Sequence, residues 1–157
     1  MTKEKNKRPI IPRIQRTDVI GLIYSFEVMD ERIDTNQLFL QYPELDEKML
    51  QMLGFIAKNY NFFKKNIEQQ LNLMWNWERI LPLLRSILLF GCAEIFFLAH
   101  QIVINEMIEI TKLFTLETDN DHKFVNAILQ KIYLEFKKQG FFQQQINYND
   151  LLETSND

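Results

Sequence analysis

Arg13, Thr17 and Tyr24 recur at intervals of four and seven residues, with Gly21 between them and Arg16 alongside. At 100° per residue those intervals put the three side chains on one side of a helix. The residue types suit one chemistry. An arginine guanidinium grips phosphate through its planar fork. A tyrosine ring offers a platform for an unpaired base, and single-stranded RNA is read by such stacking together with hydrogen bonds to base edges. A half-buried tyrosine whose hydroxyl reaches water leaves the same pattern, so this face by itself keeps both readings open.

A second polar face lies in HKFVNAILQKI, residues 122–132. Phe124, Val125, Ile128, Leu129 and Ile132 form one apolar arc. Lys123, Asn126, Gln130, Tyr133 and Lys137 follow at spacings of three, four, three and four on the other side. Asparagine is a poor helix former, and here it belongs to a stripe with a lysine near each end. Lys123, Asn126 and Gln130 are candidate RNA contacts. A solvated helix face accounts for the same stripe, and the amide of Asn126 would also serve to lock the helix to a neighbour.

Catalytic and metal chemistry find no support in the residue spacing. His100 and His122 stand apart from any second ligand type at a useful interval. The segment DNDH at 119–122 lacks the central glycine and closing acid of a calcium loop. No glycine-rich phosphate loop occurs, and no Ser-His-Asp or Cys-His arrangement. Cys92, the only cysteine, lies in an apolar run and reads as a small buried hydrophobe. The expectation is a non-enzymatic protein with no metal and no cofactor, in the cytoplasm.

The charge is unevenly placed. Residues 1–16 hold Lys3, Lys5, Lys7, Arg8, Arg13 and Arg16 against Glu4 alone, although the whole chain carries a net charge of −3. A basic arm on an acidic body is a signature of polyanion binding by the arm, which adds Lys7 and Arg8 to the candidate RNA contacts. The apolar run SILLFGCAEIFFLAHQIVI, residues 86–104, is long enough to span a bilayer. Glu94 sits near its middle, where an acid costs about 2.5–3.5 kcal/mol even on a lenient insertion scale. The run therefore reads as a buried helix, a tight connection and the start of the next helix, with no membrane association.

These faces need helices to present them. Only four glycines and four prolines punctuate 157 residues, 46% of them apolar, which predicts an all-α chain with short connections. Residues 1–12 read as a disordered basic arm, with Pro9 and Pro12 as breakers. Periodicity predicts a first helix over 13–29 with Val19, Ile20, Leu22, Ile23 and Phe26 inward, then a loop near 30–36. A helical stretch at 44–65 carries Leu45, Met49, Met52, Leu53, Ile56 and Tyr60. Another covers 66–77 with Ile67, Leu71, Met74 and Trp75 as candidate core. Three more are expected at 82–98, at 101–114 with Ile104, Met107, Ile108, Thr111 and Phe114 on one face, and at 122–138. Residues 139–157 read as a flexible polar and acidic tail.

Several of these stretches resemble one family when taken together. INEMIEITKLF at 104–114 is similar to an INEAVELAK-F segment, and HKFVNAILQKI to KFVNGVLDKI. WNWERILPLLRSILLFGCAEI at 75–95 matches a W-x-L-x-R…ILRLA-x-YEL pattern, with Trp75, Arg79, Arg85, Ile87, Leu88 and Glu94 in register. RIQRTDVIGLIYSFE resembles an arginine-rich start leading into A-L-Y, with Arg13, Arg16 and Tyr24 in place. These are the motifs of the NusB family of bacterial transcription antitermination factors, and they cover roughly residues 13–136 in the family's order.

The resemblance implies a helical RNA-binding domain at 13–138 built from two packed three-helix sub-bundles. It implies binding of boxA-type single-stranded RNA together with a NusE-type small-subunit ribosomal protein. It also implies assembly into the RNA polymerase antitermination complex that transcribes ribosomal RNA operons. Arg85 and Glu94 are carried over as partner-binding residues. The chain departs from the pattern at Leu89, where a second arginine is common, and at Ala93, in place of tyrosine. Ala127 replaces glycine, Gln130 replaces aspartate, and the link across 96–103 is shorter. The alternative reading is a helical protein–protein adaptor, or an accessory domain of an RNA-modifying enzyme, that no longer binds boxA.

Overall fold

A computed structural model of the chain describes residues 11–142, except the side chain of residue 117. The described residues form seven α-helices and two short 3-10 turns, with no strand among them. The helices are α1 (Arg13–Met29), α2 (Thr35–Gln41), α3 (Glu47–Lys58), α4 (Tyr60–Gln69), α5 (Pro82–Glu94), α6 (His100–Phe114) and α7 (Asp121–Lys138). No helix among the described residues is long and apolar enough to cross a membrane.

Local chemistry sets many of the boundaries. Asp34 and Asp46 cap α2 and α3 by accepting hydrogen bonds from the backbone N–H of Gln37 (3.1 Å) and Met49 (2.9 Å). Pro82 occupies the first turn of α5, where a missing N–H costs nothing. Asp30 ends α1 in the left-handed region (φ 52°), and the Glu31 N–H reaches back to the Phe26 carbonyl at 2.9 Å. Gly140 (φ 78°) ends α7 in the same way, with the Phe141 N–H bonded to the Phe136 carbonyl at 3.1 Å.

Helix α5 is the axis of the fold. From Ser86 to Glu94 every residue is buried, and α1, α3, α4, α6 and α7 all pack against it. Helices α5, α6 and α7 pack mutually as one three-helix unit, while α1 and α3, joined by α2 and α4, cover the other side. Gly91 permits the close approach on the first side. A Cβ there would lie 2.9 Å from Leu129 and 3.2 Å from Met107. The connection after α5 carries Phe96 and Phe97 into an aromatic cluster with Phe55, Phe63, Phe136 and Phe142. Ring contacts in that cluster join α3, α4 and the end of α7.

Several expectations from the sequence change here. The stretch 44–65 is two helices, because the chain turns at Asn59, whose side chain bonds the Phe55 carbonyl at 2.9 Å. The predicted helix at 66–77 ends at Gln69. Beyond it Met74 and Trp75 are exposed, and the buried indole is that of Trp77. Phe114 points outward from α6. Ile11, assigned to the arm, is fully buried, and Phe141 and Phe142, assigned to the tail, pack on the core. Residues 1–10, including Lys7 and Arg8, and residues 143–157 lie outside the described residues.

Two of the helical glycines, Gly21 and Gly91, give opposite expectations for stability. Gly21 has open space where a Cβ would stand, so Gly21→Ala should stabilise by about 0.5–1 kcal/mol through helix propensity. Gly91→Ala gains the same propensity but drives its methyl into Leu129, and overpacking of this kind costs about 1–3 kcal/mol. Thermal melts should place Gly21→Ala above the wild type and Gly91→Ala below it.

Candidate nucleic-acid interface

The face of α1 predicted to meet RNA is partly realised. Arg13 (side chain 51% exposed) and Tyr24 (42%) stand at the surface, with exposed Gly21 between them and Thr17 at the boundary. Tyr24 makes no aromatic ring contact or side-chain hydrogen bond among the described residues, so its exposed part is not committed to a partner. Thr17 donates to the Arg13 carbonyl at 2.9 Å. Arg13 itself is engaged. Its Nε and one terminal nitrogen donate to the two oxygens of Glu106 on α6, at 3.0 and 3.1 Å.

Arg16 does not belong to this surface. Its side chain is 5% exposed and lies against α5, where Nε donates to both oxygens of Glu94 at 2.9 and 3.0 Å. Glu94 is as deeply buried, so it too leaves the exposed set and is not a free partner-binding group. Arg85 is likewise withdrawn. It sits 2.8 Å from the Glu27 carboxylate and over the Trp77 ring, at 5.6 Å from the centroid. The Nε–H of Arg85 is not aligned with that carboxylate, so the contact is ionic and not a hydrogen bond. Glu27 also accepts the Tyr60 hydroxyl at 2.5 Å. The physical reason for all three corrections is the same. These residues lie on the mutually facing sides of α1 and α5, where a charge survives only with a partner.

The electrostatics follow from that burial. Desolvation pushes the Glu94 carboxyl up to about 7, against the downward pull of the Arg16 guanidinium. Glu106 is held below the usual carboxylate range, chiefly by its hydrogen bond from Arg13. Arg16 lies 3.7 Å from Glu106 as well. Arg13, Glu106, Arg16 and Glu94 thus alternate in sign from the surface to the core. Burial also raises the Cys92 thiol and the Tyr60 hydroxyl.

The second stripe is exposed at Lys123, Asn126, Gln130 and Lys137. Asn126 and Gln130 face each other one turn apart at 3.4 Å. The amide of Asn126 therefore neither caps a helix nor locks one against a neighbour. Tyr133 is not a free platform, since its ring stacks on His100 with centroids 3.5 Å apart. Beside Lys123 lies a cleft of about 330 Å³ lined by Lys112, Asn120, His122 and Lys123. Trp75, half exposed, stacks on Phe124 at 5.5 Å on the adjoining surface. Helices α1 and α7 each pack on α5 and α6.

Two residues of this surface differ from what spacing alone suggests. The spacing of Trp75 fits an apolar face, yet its ring is half exposed. Glu106 lies in the INEMIEI motif, but nothing local marks its arginine partner, which is 93 positions away.

Comparison with known proteins agrees with this architecture. A family model described as NusB family matches residues 14–134. The chain belongs to the NusB family. The transcription antitermination protein NusB of Campylobacter jejuni is 35% identical over 127 residues, covering 74% of this chain and 91% of that protein. The NusB of a Nitratiruptor species is 30% identical, covering 78% and 91%. A solved structure of T. maritima NusB superposes with a TM-score of 0.67 at 27% identity, covering 81% of this chain and 94% of that one. The NusB fold is thus established for this chain, and the departures at Leu89 and Ala93 both fall in its packed centre.

The buried pair makes two expectations. Arg16→Ala leaves the buried Glu94 carboxyl without its donor and should destabilise by at least about 1–3 kcal/mol in denaturant unfolding. A carboxyl that ionises near 7 when folded and near 4.5 when unfolded favours the fold most below 4.5, and that contribution is lost as pH rises through 7. Between pH 5 and 8 the wild type should therefore lose on the order of 1–3 kcal/mol that an Arg16→Met/Glu94→Leu double variant does not lose.

Proposed function

We propose that this chain is a transcription antitermination factor that binds boxA-type single-stranded RNA, together with a NusE-type ribosomal protein, within the RNA polymerase complex on ribosomal RNA operons. Its membership of the NusB family and the names of its relatives support the antitermination role. The observation that carries the RNA reading is the surface of α1. There an exposed arginine, an open glycine and an unpartnered tyrosine ring line up along one helix face. The chemistry of that strip is phosphate grip at one end and base stacking at the other.

Lys123, Asn126 and Gln130 extend the proposal to α7, where two amides and a lysine offer hydrogen bonds to base edges and phosphate. Lys7 and Arg8 add charge from the arm. The acidic body supplies the charge that would attract a basic ribosomal protein. Such a protein would be steered by complementary charge.

Fluorescence anisotropy with a labelled boxA-like RNA, with and without a purified NusE-type protein, tests this. Binding should weaken steeply with salt, as phosphate contacts require, and tighten with the partner. Tyr24→Ala should cost about 1–3 kcal/mol of binding, the value of one stacked base. Arg13→Ala should reduce the salt slope by about one. Asn126→Ala should leave the melting temperature unchanged, because its side chain is exposed, while weakening RNA binding. Equal affinity of wild type and Tyr24→Ala for boxA-like and scrambled RNA would favour the adaptor reading instead.

A further inference from the structure

We infer that Glu106 holds, in the free protein, the place on Arg13 that an RNA phosphate takes in the complex, so that RNA binding is an exchange of anions on one guanidinium. The inference rests on the proposed RNA reading of the α1 face and adds the residue that governs access to it.

Three observations carry it. The Arg13–Glu106 contact is bidentate, with two nitrogens on two oxygens at 3.0 and 3.1 Å. A phosphate presents the same pair of acceptors to the same fork. The contact is also exposed, since the Arg13 side chain is half open to solvent, so a competing anion can reach it without opening the fold. Finally, Glu106 has a second cation. The buried Arg16 guanidinium lies 3.7 Å from it, so when Arg13 leaves, the Glu106 charge is not abandoned. By contrast, Arg16 has no such freedom, because release would strand Glu94 in the core. One arginine of the α1 start is thus anchored and the other is exchangeable, and Glu106 touches both.

The competition sets a threshold on affinity. An anion must displace a carboxylate already in place, which selects ligands that add base stacking on Tyr24 over a lone phosphate group. Glu106 is therefore a positioning residue that restrains Arg13 and limits binding by phosphate alone.

The test is a set of RNA titrations at low salt, with melting curves for every variant. Glu106→Gln should bind RNA about two- to five-fold more tightly than wild type, the equivalent of releasing an exposed ion pair. The gain should vanish when Arg13→Ala is added. Glu106→Asp keeps the charge but shortens the reach, and should also tighten binding. This second variant covers the case in which Gln at 106 unsettles Arg16 and lowers stability. Glu109→Gln removes an equal charge from the same helix without breaking a hydrogen bond to Arg13, and should give a smaller change. An equal gain from Glu109→Gln, or a gain that persists without Arg13, would mean bulk charge and would overturn the inference. So would folded Glu106 variants that match a wild type which binds RNA. A wild type that binds no RNA, alone or with the partner protein, would overturn the RNA reading itself.

Discussion

The antiparallel contact between α1 and α5 organises the rest of the molecule, and two ion pairs of opposite sense close it at both ends. Arg16 in the first turn of α1 meets Glu94 at the end of α5, and Glu27 in the last turn of α1 meets Arg85 in the first turn of α5. Each of these four charges sits at the end of its helix that the backbone dipole disfavours. Each therefore depends on its partner in the facing helix, not on its own backbone. A shift of α1 by one turn along α5 would separate both pairs and bury four unmatched charges. Buried pairs add little net stability over apolar packing, but breaking one is costly. Their effect is to select a single register between the two helices.

That register decides what α1 shows to the outside. With Val19, Ile20, Ile23 and Phe26 turned inward and Arg16 bound to Glu94, the opposite face presents Arg13, Thr17, Gly21 and Tyr24. The strip is rigid because its reverse side is a fully buried seam. A rigid platform loses little conformational entropy on binding, which favours the proposed RNA role of this strip. The same seam explains why the two arginines, three residues apart, have different fates. One turn of helix carries Arg16 into the seam and leaves Arg13 at its edge, where only the α6 carboxylate holds it.

Much of the fold was legible because apolar periodicity is a local signal. The bounds of α1 and the identity of its inward face follow directly from the spacing of its branched residues. Glu94 in the middle of the 86–104 run was enough to turn a membrane span into a buried helix and a bend. The failures share a cause. Asn59 breaks a continuous apolar pattern by a backbone turn that no period reveals. Trp75 and Trp77 are two residues apart, and only the packing of Arg85 and Tyr60 around one of them decides which is buried. Arg16 and Glu94 are polar residues 78 positions apart. Their mutual burial depends on the interhelical register, and sequence spacing within one helix carries no information about that.

The departures from the family pattern take on a different meaning in this light. Leu89 and Ala93 are fully buried between α5 and its neighbours, so a change there alters packing volume and not an exposed contact surface. An arginine side chain at position 89 would need either a buried carboxylate or a path to solvent. Leu89 needs neither and fills the space with apolar atoms. Ala127 and Gln130, by contrast, are exposed on α7. There a glycine-to-alanine change strengthens the helix, and an acid-to-amide change removes a charge that would repel phosphate. The departures at Leu89 and Ala93 thus bear on packing around α5, whereas those at Ala127 and Gln130 bear on the exposed stripe that the proposed RNA reading uses.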